Sequence, residues 1–111
     1  MTHFLQDILR QPAELRKSLA HTMGPGWPEL QRAAAAVREA DHVYIAGIGS
    51  SWNAGLAVQH VFHANRCPAH LVDAAEFVHF IELPPKSVIL ALSRSGRSIE
   101  IVQMLAKARQ A

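Results

Sequence analysis

Apolar residues recur in two rhythms along this chain. Near its start, Phe4, Leu5, Ile8 and Leu9 return one helical turn apart until Pro12 punctuates the pattern. Pro12 suits the first position of a second helix, with Leu15 and Leu19 on one face. Gly24-Pro25-Gly26 is a firm break. Pro28 opens a further helix over residues 28–40, striped by Leu30, Ala33, Ala34 and Val37 and ended by Asp41. From His42 onward, short apolar runs alternate with helical ones. Residues 43–46, 69–72 and 87–92 read as strands. Their apolar character is nearly continuous, as expected of strands covered on both faces. Residues 53–65, 74–80 and 97–110 read as helices. Ala54, Ala57, Val58, Val61 and Phe62 share one side of the first, and Ile99, Val102, Leu105 and Ala106 point inward from the last.

Strands separated by helices imply parallel pairing through right-handed crossovers. The expected class is α/β: a three-layer sandwich with a parallel, three-stranded sheet, preceded by N-terminal helices. Residues 1–40 form the helical lead-in and residues 41–111 the α/β domain. In the common doubly wound order the first strand is central and the other two flank it. Ligands then bind beyond the carboxyl ends of the strands, where the connection reverses direction.

Composition narrows the classes without choosing one. The 111 residues suit one domain, with 50% hydrophobic and 18% charged residues, as in ordinary globular proteins. A formal charge of +2 without a Lys/Arg cluster argues against nucleic acid and fits a small anionic ligand. No apolar run approaches the roughly 20 residues of a membrane helix, so no membrane partner is expected. Gln6 and Asp7 make the start unlike a signal peptide. The single cysteine, Cys67, allows no internal disulfide and fits a cytoplasmic setting.

The chemistry concentrates in two turns. Gly47-Ile48-Gly49-Ser50-Ser51 follows the first strand, and Ser93-Arg94-Ser95-Gly96-Arg97-Ser98 follows the third. Each leads into a helix. Small residues let backbone N–H groups approach an anion, and the first helical turn adds unpaired donors with partial positive charge. Serine hydroxyls donate as well, and Arg94 and Arg97 add charge. Glycine–serine turns also follow many strands as plain turns, and lone arginines are often solvated surface charge. A dinucleotide fingerprint fails at Trp52, where a small residue should pack on the sheet, although Asp73 mimics a ribose-binding acid. No P-loop sequence is present. His60 and His63 lie one helical turn apart but lack a third ligand, so no metal is expected. Cys67 reads as a small packed residue. Ser93 and Ser95 lack a His–Asp pattern for nucleophilic chemistry.

The segments Gly49-Ser50-Ser51-Trp52-Asn53-Ala54-Gly55, Ala75-Glu76-Phe77 and Ser93-Arg94-Ser95-Gly96-Arg97-Ser98-Ile99-Glu100 resemble the first half of a sugar isomerase (SIS) domain. The likeness is greatest to the isomerase portion of glucosamine-6-phosphate synthase and its glutaminase-free relatives. The opening Gln6-Asp7-Ile8-Leu9-Arg10-Gln11-Pro12-Ala13-Glu14-Leu15-Arg16 is similar to the segment that begins that portion, so the resemblance spans nearly the whole chain. It implies a phosphosugar-binding site formed by Gly49, Ser50, Ser51, Ser93, Arg94, Ser95, Gly96 and Ser98. Arg94 stands where the synthase commonly has Gln, Ser98 where it has Thr, and Arg97 where it has an acid. The Ser-Arg-Ser-Gly form looks more like the glutaminase-free relatives, which deaminate or deglycate amino-sugar phosphates.

The resemblance also implies that the catalytic base, the ring-opening histidine and a substrate-contacting lysine lie beyond residue 111. No catalytic residue is therefore assigned here, and Glu76 is expected only at a helix start or an interface. The chain reads as a partial SIS domain, truncated after its third strand. The apolar edge of that strand is a pairing hazard, so a marginal monomer, a homodimer or pairing with a missing second half is expected. The expected ligand is a phosphorylated sugar or amino sugar such as fructose 6-phosphate or glucosamine 6-phosphate, with no cofactor. The alternatives are a non-catalytic phosphosugar-sensing module and a nucleotide-binding α/β domain.

Overall fold

A computed structural model describes residues 2–110. They fall into two compact units that divide between Arg38 and Glu39. The first holds α1 (His3–Met23) and nearly all of α2 (Trp27–Glu39). Thr2 caps α1, its hydroxyl accepting from the Leu5 amide at 3.1 Å. The expected interruption at Pro12 does not occur: α1 runs through it without a break. Proline there withholds one N–H from the helical ladder. Leucines and arginines on either side favour helix strongly enough to continue it. No residue of α1 or α2 is buried, and Phe4, Leu15 and Leu19 are each more than 60% exposed.

The second unit runs β1 (His42–Gly47), α3 (Ser50–Ala64), β2 (Ala69–Asp73), α4 (Ala74–Phe80), β3 (Ser87–Ala91) and α5 (Ile99–Gln110). The sheet is parallel with order β2-β1-β3, as the alternation of elements implies. Ile45 pairs with Leu71 on one side and Leu90 on the other. Successive residues of β1 face opposite layers. Ile45 and Leu71 point toward α3, where a Cβ on the buried Gly55 would lie 2.5 Å from Leu71 Cδ1. Tyr44 and Ala46 face the other layer, where Ala46, Ala74, Phe77, Ile101 and Met104 form the buried cluster beneath α4 and α5. Helices thus cover both faces of the sheet, and β3 stands at its edge. No helix among the described residues is long and apolar enough to cross a membrane.

Two helices are rotated from their expected orientation. In α5 the buried residues are Ile101 and Met104, while Ile99, Val102, Leu105 and Ala106 are exposed. The helix carries two apolar stripes, and its contacts with α4 choose between them. Lys107 helps fix that choice. Its ammonium donates to the carbonyls of Phe77 and Val78 at 3.1 Å and to that of Ile81, and it lies 5.5 Å from the Phe77 ring centre. Cation and helix C-terminus attract each other there. In α3, Ala54, Ala57 and Val61 are exposed, and the helix turns Gly55, Val58, Gln59 and Phe62 inward. Glycine carries no hydrophobic signal, so its role at the contact was invisible to the periodicity.

Phe77 is fully buried, so Phe77→Ala should cost about 3–5 kcal/mol of stability in urea denaturation. Lys107→Met should cost about 1.5–3 kcal/mol through its charge-assisted bonds. The exposed Arg109→Ala should stay within about 0.5 kcal/mol. Equal stability of Lys107→Met and the parent chain would remove the clamp from this account.

Candidate functional site

Parallel pairing of β1 with β3 sets the position of both turns. Ala46 is level with Ala91, and the Leu92 amide continues the ladder by donating to the Ala46 carbonyl at 2.8 Å. The chain after β1 and the chain after β3 therefore leave the sheet side by side, at its carboxyl edge. Gly49, Ser50 and Ser51 occupy the first of these exits, and Ser93, Arg94, Ser95, Gly96 and Ser98 the second. Because β1 is central, this is the point where the topology reverses, the usual ligand crevice of such sheets.

The first turn is built by two glycines. A Cβ on Gly47 would fall 2.8–3.0 Å from backbone atoms of Ser51 and Trp52, so only glycine lets the end of β1 touch the first turn of α3. Gly49 caps α3 with φ 59° and ψ −127°, a conformation closed to other residues without strain. It brings no side chain to the helix end, and no side-chain acceptor serves the first turn. Helix α3 also begins at Ser50, earlier than its expected start at residue 53, so Ser50 and Ser51 are helical rather than loop residues. The Ser51 amide donates to the Ile48 carbonyl at 3.2 Å, and that of Asn53 to Gly49 at 3.2 Å. An uncapped helix start leaves N–H donors for solvent or an anion.

The second turn organises itself. Ser93 Oγ accepts from the Gly96 amide at 2.7 Å, and Ser95 Oγ accepts from the Arg97 amide at 3.1 Å. Each hydroxyl spends a lone pair this way and keeps its proton to donate. Gly96 sits at φ 69°, and nothing lies within 4 Å of the Cβ it lacks. The Ser98 carbonyl accepts from Val102 at 3.1 Å and opens α5. Ser93, Arg94, Ser95, Gly96 and Arg97 are exposed, and Ser98 and Ser51 are half-buried.

Other residues marked in the sequence have local roles. Asp73, a mimic of a ribose-binding acid, caps α4 by accepting from the amides of Ala75 at 2.8 Å and Glu76 at 3.3 Å. Glu76 stands in the first turn of α4, where an acid complements the helix dipole. His63 Nε2 lies 3.3 Å from the Ala69 carbonyl, beside the Gln59 amide that donates to the same oxygen at 3.1 Å. Among the described residues no group of three or more His, Cys, Asp or Glu side chains is placed to hold a metal. Cys67 is a half-buried free thiol. Lys107 was missed because nothing local to its sequence marks a contact with α4, some thirty residues earlier.

Gly47→Ala should cost about 1–3 kcal/mol, since backbone must yield to the new methyl. Gly96→Ala should cost about 1–2 kcal/mol from its left-handed φ alone, with Gly96→Asn less harmful. Thermal denaturation of the three variants checks the order. A neutral Gly47→Ala would contradict the close approach of β1 and α3.

Comparison with known proteins places this geometry in a family. The model of the SIS domain matches residues 36–111. Similar curated proteins are the isomerizing glutamine–fructose-6-phosphate aminotransferases of Haemophilus ducreyi (27% identical over 97% of this chain and 19% of the relative), Streptococcus pyogenes (30%, 97% and 18%) and Methanocaldococcus jannaschii (25%, 97% and 10%). The chain thus spans at most about a fifth of the length of these relatives. No solved structure matches it significantly. The central β1 with its glycine turn, the parallel β3 with its serine turn and the match from residue 36 onward lead to one conclusion: this chain belongs to the SIS domain family.

Proposed function

We propose that the chain binds a phosphorylated sugar or amino sugar, with the phosphate held between the turns that follow β1 and β3. The observation that carries this reading is their shared position at the carboxyl edge of two hydrogen-bonded parallel strands. Helix α3 starts at Gly49 and Ser50 without a side-chain cap, leaving their amides to donate, and Ser51, whose own amide is bonded to the Ile48 carbonyl, offers its hydroxyl. Ser93, Ser95 and Ser98 offer hydroxyls, two of them already oriented by accepting bonds within their own turn. Amides, hydroxyls and a helix dipole together form a good receptor for a dianion. The name of the aminotransferase relatives supplies fructose 6-phosphate as the first ligand to test.

Residues 47–53 and 92–98 contain no carboxylate, imidazole or thiol. Their chemistry is therefore grip and orientation rather than proton transfer, and no catalytic step is assigned to them. The isomerase and amino-transfer activity in the relatives' name belongs to proteins more than five times longer than this match. The outer edge of β3 is where a further strand, from a second copy or from additional sequence, would pair.

Isothermal titration with fructose 6-phosphate and glucosamine 6-phosphate tests the reading. Both should bind, free fructose should not, and Ser95→Ala should weaken binding about tenfold, the worth of one charge-assisted hydrogen bond. Equal binding of fructose and its phosphate, or a Ser95→Ala variant that binds like the parent, would refute it.

A further inference from the structure

We infer that α1 is a docking surface for α1 of a second copy of this chain, with the two helices running antiparallel. Residues 5, 8, 12, 15, 19 and 22 keep a heptad spacing along one seam of the helix. Four of them, Leu5, Ile8, Leu15 and Leu19, are large and apolar, and Phe4 and Leu9 flank the same seam. These six side chains are between 41% and 76% exposed, and no residue of α1 is buried. Helices α1 and α2 do not pack along each other. Away from the seam the helix satisfies itself: Asp7 pairs with Arg10 and Glu14 with Lys17, each within one turn.

A helix in a protein owes most of its stability to packing of its apolar face. Six exposed side chains of this size bare on the order of 600 Å² per copy, the upper end of what a monomer leaves open. Two copies joined along the seam would bury about 1,200 Å², where specific protein pairs become stable. A lipid surface fits less well. Helices that lie on membranes carry a Lys/Arg-rich polar face, whereas here Asp7 and Glu14 offset all but one of Arg10, Arg16 and Lys17. The residues also choose the direction. Antiparallel, Ile8 lies opposite Leu19, Pro12 opposite Leu15 and Thr22 opposite Leu5, so each smaller residue of the seam meets a large one. Parallel, Pro12 would meet Pro12 and Thr22 would meet Thr22. Antiparallel helices also set their dipoles head to tail.

Sedimentation equilibrium of the full chain tests this without any sugar ligand, so its outcome is independent of the phosphosugar reading. The chain should dimerise with a Kd of about 10 μM. Ile8→Glu/Leu19→Glu should weaken the dimer about 100-fold or more, because four buried carboxylates would face one another. Ile8→Glu/Leu19→Lys carries as many charges but sets Glu against Lys in the antiparallel register. It should associate about tenfold more tightly than the double-Glu variant. Val61→Glu, on the exposed side of α3 in the other unit, should dimerise like the parent. A parent chain that stays monomeric at about 100 μM overturns the inference. So does a double-Glu variant as dimeric as the parent, which would move the contact elsewhere, for instance to the outer edge of β3. Equal association of the two charged variants overturns the antiparallel register, and a monomer that instead binds phosphatidylglycerol vesicles through α1 overturns the choice of a second copy.

Discussion

The hydrogen-bonded pairing of β3 beside β1, rather than beside β2, is the constraint on which the site depends. It is a property of the backbone, made by the ladder from His42–Ser87 to Ala46–Ala91 and extended by Leu92. Were β3 to pair with β2, the serine turn would sit two strands from the glycine turn, and one small anion could not meet both. The order β2-β1-β3 brings the chain back across β1 and makes the two exits neighbours. The buried cluster on the α4–α5 layer supports this arrangement. Ile89 of β3 packs with Ala46 of β1 against Phe77, Ile101 and Met104.

Around that frame, each turn is prepared in a different way. The first relies on what its residues lack: no Cβ at Gly47 to hold α3 away, and no side chain at Gly49 to occupy the helix start. The second relies on internal hydrogen bonds that fix two hydroxyls before any ligand arrives. Preorganised donors cost less entropy on binding than mobile ones. Arg94 and Arg97, both exposed, alternate with these serines along the turn. The site is consequently polar and cationic, while the core that holds it is small and apolar.

Much of this was legible in the sequence. The three strands announce themselves as apolar runs bounded by glycine, proline and serine, and parallel order follows from the helices between them. The candidate site is a pair of short local motifs, and local motifs survive without knowledge of tertiary structure. What stayed hidden was relational. The stripe Ile99, Val102 and Leu105 is as regular as the buried Ile101 and Met104, and only contact with Phe77 and the α4 carbonyls decides between them. Gly55 lies at the tightest helix–sheet contact, yet a hydrophobic pattern gives glycine no weight. Pro12 looked like a boundary because proline withholds an amide, but its neighbours keep the helix intact.

The most direct measurement is amide NMR of the isotopically labelled chain during titration with fructose 6-phosphate. If one phosphate is shared by the two turns, amides of residues 49–51 and 93–98 should shift together along a single binding isotherm, with those of β2 nearly still. Shifts confined to one turn, two separate isotherms, or shifts centred away from the carboxyl edge of the sheet would contradict the account.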